Sequence, residues 1–450
     1  MGFDCDVVVV GGGPAGSTAA AALARGGRSV VLLERDAFPR FHIGESLLAS
    51  VNDVLEAIGA TDLIRNAKFP EKWGATFMTP DGGVERFADF AISSEVPAPQ
   101  TWQVPREQFD EMLLRHAASC GADVRERHRV GDITFDPSGV EVRYRVSRAG
   151  QDATAPEATI RARMLIDASG RASLLARHYA LRVDEPGLAN VAVFSHFAGV
   201  PRAEGRRAGD IRIVARTDGG WFWLIPISNE LMSVGAVLPQ QAFLAQPRID
   251  HGELLTRLIA DTPAVATLMA HAERRWPVRV ERDFSYASTR YAGDRWITVG
   301  DAGSFLDPVF SSGVAIALES GLEGARAVER GLARGDLSAR AFRTFERRQH
   351  ARYQSFRRFV VSFYTPAFRD LFFSDDPPQR MFRAIITVLA GYWRPSLVSR
   401  IWLRLFFLSV RMQERFRFER SHLESAQQKG TPGVAGPEVS SPSASRSWNR

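Results

Sequence analysis

The hydrophobic pattern at the start of the chain predicts a strand, a helix and a second strand. Residues 4–27 read DCDVVVVGGGPAGSTAAAALARGG, a valine run followed by a glycine turn and an alanine-rich segment. Residues 29–36, SVVLLERD, form a second apolar run that ends in an acid. This order is that of a βαβ unit at the N-terminus.

The middle of the chain has the patterns of short strands and amphipathic helices. Residues 70–105 and 125–165 alternate between apolar and polar positions, and a helical segment beginning at residue 106 separates them. The runs NVAVFSHFAGV, DIRIVART, GWFWLIPI and LMSVGAVL, between residues 187 and 240, predict an antiparallel sheet outside the βαβ core. A helical segment follows at 249–273.

The last part of the chain is predicted to be helical. RWITVGDAGSF at 295–305 predicts a strand and a turn, and a long helix follows. We predict a main domain over 1–340, with a substrate-side sheet inserted at about 70–105 and 187–290. A helical region covers 341–424, and the Gly/Pro/Ser-rich residues 425–450 are predicted to be a disordered tail.

Composition narrows the class of protein. The 450 residues are 45% hydrophobic and 24% charged, as in an ordinary folded protein. Cys5 and Cys120 cannot form a disulfide framework and lack metal-ligand spacing, so we expect a reducing cytoplasm and no metal site. No stretch approaches the roughly 20 apolar residues that span a bilayer, and Asp4 and Asp6 argue against an export signal.

The glycine turn has the spacing of a dinucleotide-binding site. Gly11 allows the tight turn, Gly13 lets the backbone approach a pyrophosphate, and Gly16 lets helix and strand pack closely. The helix N-terminus would then face the phosphates. Glu34, at the end of the second strand, is placed to bind ribose hydroxyls, and Ala15 within the motif also counts as a cofactor-binding residue.

Two later segments favour FAD over NAD. LIDASGR at 165–171 and WITVGDAGSF at 296–305 are strands that run into small-residue turns. With the N-terminal unit, they resemble the flavoprotein family that includes p-hydroxybenzoate hydroxylase. The resemblance implies a Rossmann-like α/β FAD-binding fold, with Asp301 at the ribityl end of FAD and Arg106 as a flavin contact. A turn-capping aspartate is the alternative for Asp301.

The segment FPRFHIGESLL at 38–48 predicts a loop and a helix cap, with Glu45 and Ser46 as its polar end. It resembles a stretch of flavin-dependent halogenases and geranylgeranyl-reductase-like flavoproteins that lies near the flavin ring. On that resemblance Arg40 and Ser46 are cofactor-binding residues. His42 is either a proton donor or a plain loop histidine.

FLDPVFSSG at 305–313 is a turn that opens a helix, whose first N–H groups can face an anion. It resembles the halogenase loop that holds halide near the flavin. The resemblance makes Ser311, Ser312 and Gly313 halide-binding residues and Pro308 and Gly313 cofactor-binding residues. A plain flavin-contact loop is the alternative.

In GWFWLIP the two indoles alternate around Phe222, so a strand would place both on one face. The positions Trp221, Trp223 and Pro226 match the halogenase motif WxWxIP. By that resemblance they form an active-site wall that keeps organic substrate from the flavin while a halide still reaches it. A buried strand end is the alternative.

Lys72, in FPEKWGATF, matches the position of the catalytic lysine of halogenases, although a lone lysine is usually a surface residue. The resemblance implies that Lys72 directs hypohalous acid to the substrate, which suits a lysine because of its readily shifted pKa and flexible stem. Tryptophan halogenases carry a glutamate where this chain has Phe310. The chain therefore looks more like the halogenases of phenols and pyrroles.

The sequence thus predicts a flavin-dependent halogenase of secondary metabolism, such as antibiotic biosynthesis. It would use FADH2 from a separate flavin reductase, O2 and chloride or bromide on an aromatic substrate, free or tethered to a carrier protein. The alternatives are an FAD-dependent monooxygenase, a geranylgeranyl-reductase-like enzyme, or a non-catalytic flavoprotein that docks a carrier or membrane. The net charge is +6, and the arginine-rich C-terminal helices either cover the substrate side with solvated arginines or contact an acidic partner. That partner would be a carrier protein or, as a peripheral contact, an anionic membrane surface, and no nucleic-acid partner is expected.

Overall fold

The computed structural model describes residues 2–146, 157–246, 249–374 and 377–417. Its strands are β1 Cys5–Val10, β2 Val30–Leu33, β3 Glu71–Lys72, β4 Gly74–Met78, β5 Glu85–Asp89, β6 Thr101–Trp102, β7 Asp123–Arg125, β8 His128–Phe135, β9 Val140–Val146, β10 Glu157–Asp167, β11 Arg182–Ala198, β12 Ile211–Ala215, β13 Trp221–Pro226, β14 Leu231–Pro239, β15 Glu273–Arg274, β16 Arg279–Ser288, β17 Ala292–Gly293, β18 Trp296–Thr298 and β19 Ser304–Phe305. The helices are α1 Pro14–Arg25, α2 Val51–Ile58, α3 Thr61–Asn66, α4 Arg106–Ser119, α5 Leu174–His178, α6 Gln240–Leu244, α7 His251–Ala260, α8 Pro263–Leu268, α9 Ser312–Arg334, α10 Arg343–Phe363, α11 Pro366–Phe372, α12 Gln379–Leu389 and α13 Leu397–Phe416.

The first sheet contains the predicted βαβ unit at its centre. Strand β1 pairs in parallel with β2 and with β10, and β10 pairs in parallel with β18. The valine run of β1 is buried on both faces, since Val7 and Val9 belong to one hydrophobic cluster and Val8 and Val10 to another. The predicted strand–helix–strand order is confirmed.

The second sheet has nine strands in the order β19-β16-β11-β14-β13-β12-β4-β5, with β15 paired to β11. Strands β11, β14, β13 and β12 are antiparallel neighbours, which confirms the sheet predicted between residues 187 and 240. An unpredicted parallel pairing joins β12 to β4. Residues 70–105 therefore contribute strands to this same sheet.

Strand β13 divides its side chains between two hydrophobic clusters. Trp221 and Trp223 belong to the large central cluster, whereas Phe222 and Leu224 pack with the cluster that contains α7 and α8. The alternation predicted for the two indoles is confirmed, and both faces of the strand are buried.

The C-terminal helices pack on the same central cluster. Helix α9 lies against α1, and Phe359 and Phe363 of α10 contact Phe310, which precedes α9. No helix in the described part of the chain is long and apolar enough to cross a membrane. The proposed tail, 425–450, lies outside the described residues, and the division into domains stays a prediction.

One local prediction was wrong. Glu45 and Ser46 do not form the polar end of a helix cap, because α2 begins only at Val51, after Ser50. Ser46 instead forms an isolated antiparallel bridge with Gln103, beside the small sheet of β3 and β6. Backbone pairing to a distant segment, which the local sequence does not specify, determines this conformation.

Candidate functional site

A cavity of about 600 Å³ lies between the two sheets, within the size range of cofactor sites. The predicted residues that line it are Gly11, Gly13, Ala15, Glu34, Arg40, Ser46, Arg106, Trp221, Trp223, Asp301, Pro308, Ser311 and Gly313. The predicted residues that do not line it are Gly16, Lys72, Pro226 and Ser312.

The glycine turn fits a dinucleotide. Gly11 has a φ of +104°, and a Cβ there would lie 2.3 Å from the carbonyl oxygen of Ala168. A Cβ on Gly16 would lie 1.9 Å from the carbonyl oxygen of Gly11. At Gly13 the nearest protein atom to a Cβ is a flexible nitrogen of Arg40 at 3.5 Å, so this backbone is open to the cavity. The turn is tightly packed on its protein side and open where a pyrophosphate would lie.

Glu34 follows directly after β2 and has a fixed carboxylate. The N–H of Gly12 donates to its Oε2 at 2.6 Å, and the N–H of Asp36 donates to its Oε1 at 2.8 Å. The side chain is buried and lines the cavity. A carboxylate held in this way can still accept from ribose hydroxyls through its remaining lone pairs.

Arg106 mainly holds the loop that faces the cavity. Its guanidinium forms a bidentate pair with Asp110, at 2.8 and 2.9 Å, and donates to the carbonyl of Ile43 at 2.7 Å. The second predicted cation, Arg40, lies 3.5 Å from the Asp110 carboxylate. Because most of the Arg106 donors are used within the chain, this residue fixes the loop in addition to lining the cavity.

The structure favours the plain-loop interpretation of His42. Burial and the Arg106 charge lower the pKa of His42 to about 4, so the ring is neutral at pH 7. Its Nδ1 lies 2.7 Å from the carbonyl of Ile43, which can only accept, so Nδ1 carries the proton.

Asp301 faces the cavity from the turn after β18. Burial raises the pKa of the Asp301 carboxyl to about 6, and the charges of Arg171 and Arg106 act in the opposite direction. Tyr286 donates to the Asp301 backbone carbonyl at 2.6 Å and so fixes the turn. A carboxyl in this position can accept from a polyol hydroxyl.

The N-terminus of α9 opens into the cavity. The helix begins at Ser312 without a side-chain cap, so its first N–H groups are available to an anion. Ser311 and Gly313 line the cavity, and a Cβ on Gly313 would meet no atom within 4 Å. The side chain of Ser312 is buried away from the cavity, so its backbone N–H would have to make the predicted halide contact.

The two indoles are held by hydrogen bonds that the sequence did not reveal. Trp221 Nε1 donates to the Tyr364 hydroxyl at 2.9 Å, and that hydroxyl donates to Asp307 Oδ2 at 2.8 Å. Asn190 donates to the same carboxylate oxygen at 2.6 Å. Trp223 Nε1 donates to Ser233 at 3.1 Å. The rings are therefore fixed in orientation and form a rigid side of the cavity.

Lys72 lies beside a second, much smaller cavity. This space of about 10 Å³ has room for about one water molecule. Its lining residues are Leu48, Lys72, Ala75, Phe77, Phe90, Ile213, Val309, Phe310, Ser311 and Leu389. Ser311 lines both cavities, so the lysine side and the cofactor side meet at this residue.

The Lys72 ammonium is buried among apolar groups. Its Nζ donates to Ser46 Oγ at 2.8 Å and to the Leu47 carbonyl at 2.7 Å, and it lies 5.4 Å from the Phe90 ring centroid. Burial lowers the pKa of Lys72 from 10.5 to about 7, although the charge of Asp210 opposes this shift. Near neutral pH the group is therefore present both as an ammonium and as an amine.

Asp210 orients the turn that follows Lys72. Its Oδ1 accepts from the N–H of Trp73 at 2.6 Å and from the N–H of Gly74 at 2.9 Å. This carboxylate is far from Lys72 in sequence, and no spacing pattern identified it.

Comparisons with known proteins agree with this geometry. A family model described as an FAD binding domain matches residues 4–352. The 1H-pyrrole-2-carbonyl-[peptidyl-carrier protein] chlorinase of Pseudomonas fluorescens is 31% identical, over 86% of this chain and 89% of its own length. The chain spans about two thirds of the length of a Penicillium aethiopicum flavin-dependent halogenase, with 35% identity over 74% of this chain.

Solved structures show the same fold. The myxobacterial chondrochloren halogenase is 34% identical with a TM-score of 0.72, over 90% of this chain and 97% of that one. A flavoprotein/dehydrogenase of Cytophaga hutchinsonii is 30% identical with a TM-score of 0.81, over 91% of this chain and 99% of that one.

Proposed function

The chain belongs to the flavin-dependent halogenases, and from this premise we propose that it halogenates an electron-rich phenolic or pyrrolic ring. The observation that carries the proposal is a buried lysine of lowered pKa, whose small cavity meets the FAD cavity at Ser311. When bound and reduced, FAD supplies the activation of O2 that oxidises chloride or bromide.

The residues of the glycine turn and of the facing loops bind FAD. Gly13 lets the backbone approach the pyrophosphate, and Glu34 accepts from ribose hydroxyls. Asp301 accepts from the ribityl chain, and Arg106 holds the loop that covers the cofactor. The pyrophosphate, the ribose and the ribityl chain are thus each assigned to different residues around the 600 Å³ cavity.

The N-terminus of α9 binds the halide. Its uncapped N–H groups and the positive end of the helix dipole face the cavity at Ser311 and Gly313. Trp221 and Trp223 close the facing side, where the hydrogen bonds to Tyr364 and Ser233 keep the rings from turning. An aromatic substrate is thereby kept from the flavin, whereas a halide ion has room.

Lys72 positions the oxidised halogen. Its amino group, which donates to Ser46 at the edge of the FAD cavity, can donate a hydrogen bond to hypohalous acid. The cavity beside Lys72 has a free volume of about 10 Å³. A substrate must therefore displace side chains that line it, such as Phe310 and Leu389, which come from different elements. Tryptophan halogenases are expected to have a carboxylate at the position that Phe310 occupies in this chain. Its replacement by a ring favours substrates that are already activated.

The substrate is either free or tethered to a carrier protein. The Pseudomonas fluorescens relative acts on a pyrrole-2-carbonyl group carried by a peptidyl-carrier protein, which supports the tethered form. A separate flavin reductase remains a prediction, made because one dinucleotide motif was found in the sequence. A cytoplasmic location is also a prediction from the sequence.

The proposal is tested with the purified chain, FAD, a flavin reductase, NADH, O2 and either chloride or bromide. Phenols and a pyrrole-2-carbonyl group loaded on a carrier protein serve as substrates. We expect a halogenated product from wild type and Lys68→Met, and none from Lys72→Met with the same flavin content. Equal product from Lys72→Met would remove the lysine from the mechanism, and halide-independent hydroxylation would support a monooxygenase instead.

A further inference from the structure

The last described helix, α13, presents an apolar stripe to solvent. On its inner side Leu403, Phe406, Phe407 and Val410 are buried against the protein. Its outer apolar residues are between 42% and 70% exposed. They are Leu397, Val398, Ile401, Leu405, Leu408, Met412 and Phe416. Monomeric proteins rarely expose so much contiguous apolar surface without a function for it.

The spacing places these side chains on one continuous face. Residues 401, 405, 408 and 412 follow one another at intervals of three and four positions, which keeps them on one side of a helix. Helix α13 has 20 residues, so the stripe is about 30 Å long. Because the stripe lies on the outer side of a single helix, it is a convex ridge.

A row of arginines borders the stripe along one edge. Arg400, Arg404, Arg411 and Arg415 recur on the neighbouring side of the helix. Within residues 2–146, 157–246, 249–374 and 377–417, no salt bridge joins them to a carboxylate. Arg358 of α10 lies close by, with its guanidinium 3.6 Å from the centroid of the Phe407 ring.

The charge of this row is not neutralised within the described chain. Burial and the positive charges of Arg411 and Arg404 hold the pKa of Arg358 below its usual range. An anionic surface that supplied counter-charges along the whole helix would relieve this repulsion.

We propose that α13 docks the enzyme on an anionic lipid surface, with the apolar stripe among the acyl chains and the arginine row against the headgroup phosphates. A convex aliphatic ridge flanked by arginines has the features of a helix that lies in the plane of a membrane interface. A folded partner would have to supply a groove for the ridge, whereas a lipid surface adapts to it. The inference does not depend on the proposed halogenation.

The test is co-sedimentation of the full-length chain with lipid vesicles. We expect binding to vesicles of phosphatidylcholine mixed with phosphatidylglycerol, and at least about tenfold weaker binding to phosphatidylcholine alone. Added salt should weaken the binding, because it screens the arginine row. Equal binding to both vesicles, or none to either, would overturn the proposal.

Substitutions in the stripe distinguish its insertion into the membrane from nonspecific hydrophobic adsorption of the protein. Ile401→Gln and Leu408→Gln are each expected to lower the partition coefficient by about tenfold. Leu244→Gln is the control, because Leu244 is also an exposed aliphatic residue, at 69%, but lies on α6, and it should change nothing. An unchanged partition coefficient for both stripe variants would refute the docking surface.

Two other occupants of the stripe are outcomes of the same experiment. If a second copy covers it, the chain will be a dimer that Leu408→Gln dissociates, and vesicles will not bind. If residues 418–450 cover it, the full-length chain will remain a monomer and will also fail to bind. Either result overturns the proposal.

Discussion

Replacing Lys72 by methionine is expected to stabilise the protein at neutral pH while it abolishes halogenation. The side chain is buried, and its ammonium donates to Ser46 and to the Leu47 carbonyl. Methionine has a similar length and needs no partner in an apolar site. The substitution therefore removes the desolvation cost of the charge and keeps most of the packing.

The magnitude follows from the lowered pKa. A change from 10.5 to about 7 penalises the folded state by about 5 kcal/mol, at about 1.4 kcal/mol for each pKa unit. The variant leaves Ser46 Oγ and the Leu47 carbonyl without this donor, at about 1 kcal/mol each, the lower end of the range for a buried group that loses its partner. We therefore expect Lys72→Met to raise the free energy of unfolding by about 3 kcal/mol at pH 7.

The sign of the effect changes with pH. The unfolded chain keeps this lysine protonated up to about pH 10.5, whereas the folded protein releases the proton near pH 7. Between these values the unfolded state binds more protons at this site, so the contribution of Lys72 to the free energy of unfolding of the wild type rises with pH. Below pH 7 the folded wild type carries the full desolvation penalty of the Lys72 charge, which the variant avoids. This penalty disappears as the pH approaches 10.5. The two stability curves should cross near pH 9, by order of magnitude.

The assay is equilibrium urea unfolding over this pH range at one saturating FAD concentration. Lys68→Met is the control, because Lys68 is exposed and four positions earlier, and it should change stability by less than about 0.5 kcal/mol. Halogenation by Lys72→Met should fall by at least about 100-fold. A Lys72→Met variant that is less stable than wild type at pH 7, or that halogenates normally, would contradict this prediction.

Further predictions concern the cofactor cavity and its walls. Gly13→Val puts a side chain where the pyrophosphate would lie, so the purified protein should lose its flavin absorbance, and normal absorbance would contradict this placement. Tyr364→Phe leaves Trp221 Nε1 without its partner and should lower the free energy of unfolding by about 1–3 kcal/mol in urea, whereas no loss would argue against the bond. Phe310→Ala enlarges the small cavity and should shift kcat/KM towards bulkier phenols, and an unchanged preference would place the substrate elsewhere.

The glycine turn and the tryptophan strand could be predicted because their geometry is local. The intervals between Gly11, Gly13 and Gly16 determine which backbone positions are tight and which is open. Likewise, alternation along one strand placed Trp221 and Trp223 on the same side.

The partners of these residues could not be predicted from local spacing. Tyr364 is separated from Trp221 by 143 positions, and Asn190 is separated from Asp307 by 117. Tyr364 directly follows α10, whereas Asn190 lies on β11 and Asp307 follows β19, so tertiary packing brings these side chains together. Sequence spacing carries no information on such contacts.

The position of Lys72 illustrates the same limit. The resemblance identified the residue, but not that the hydroxyl of Ser46 lies between it and the FAD cavity. That arrangement depends on the bridge between Ser46 and Gln103, which also made the predicted helix cap wrong. Long-range backbone pairing therefore determines how far the lysine lies from the cofactor.

Halogenation is tested most directly by the mass of the product when chloride is replaced by bromide. The reaction contains the enzyme, FAD, a flavin reductase, NADH, O2 and an electron-rich phenol. We predict that one ring hydrogen is replaced by chlorine in the chloride reaction and by bromine in the bromide reaction, with the matching isotope patterns. A product of the same mass in both salts, carrying oxygen and no halogen, would contradict it.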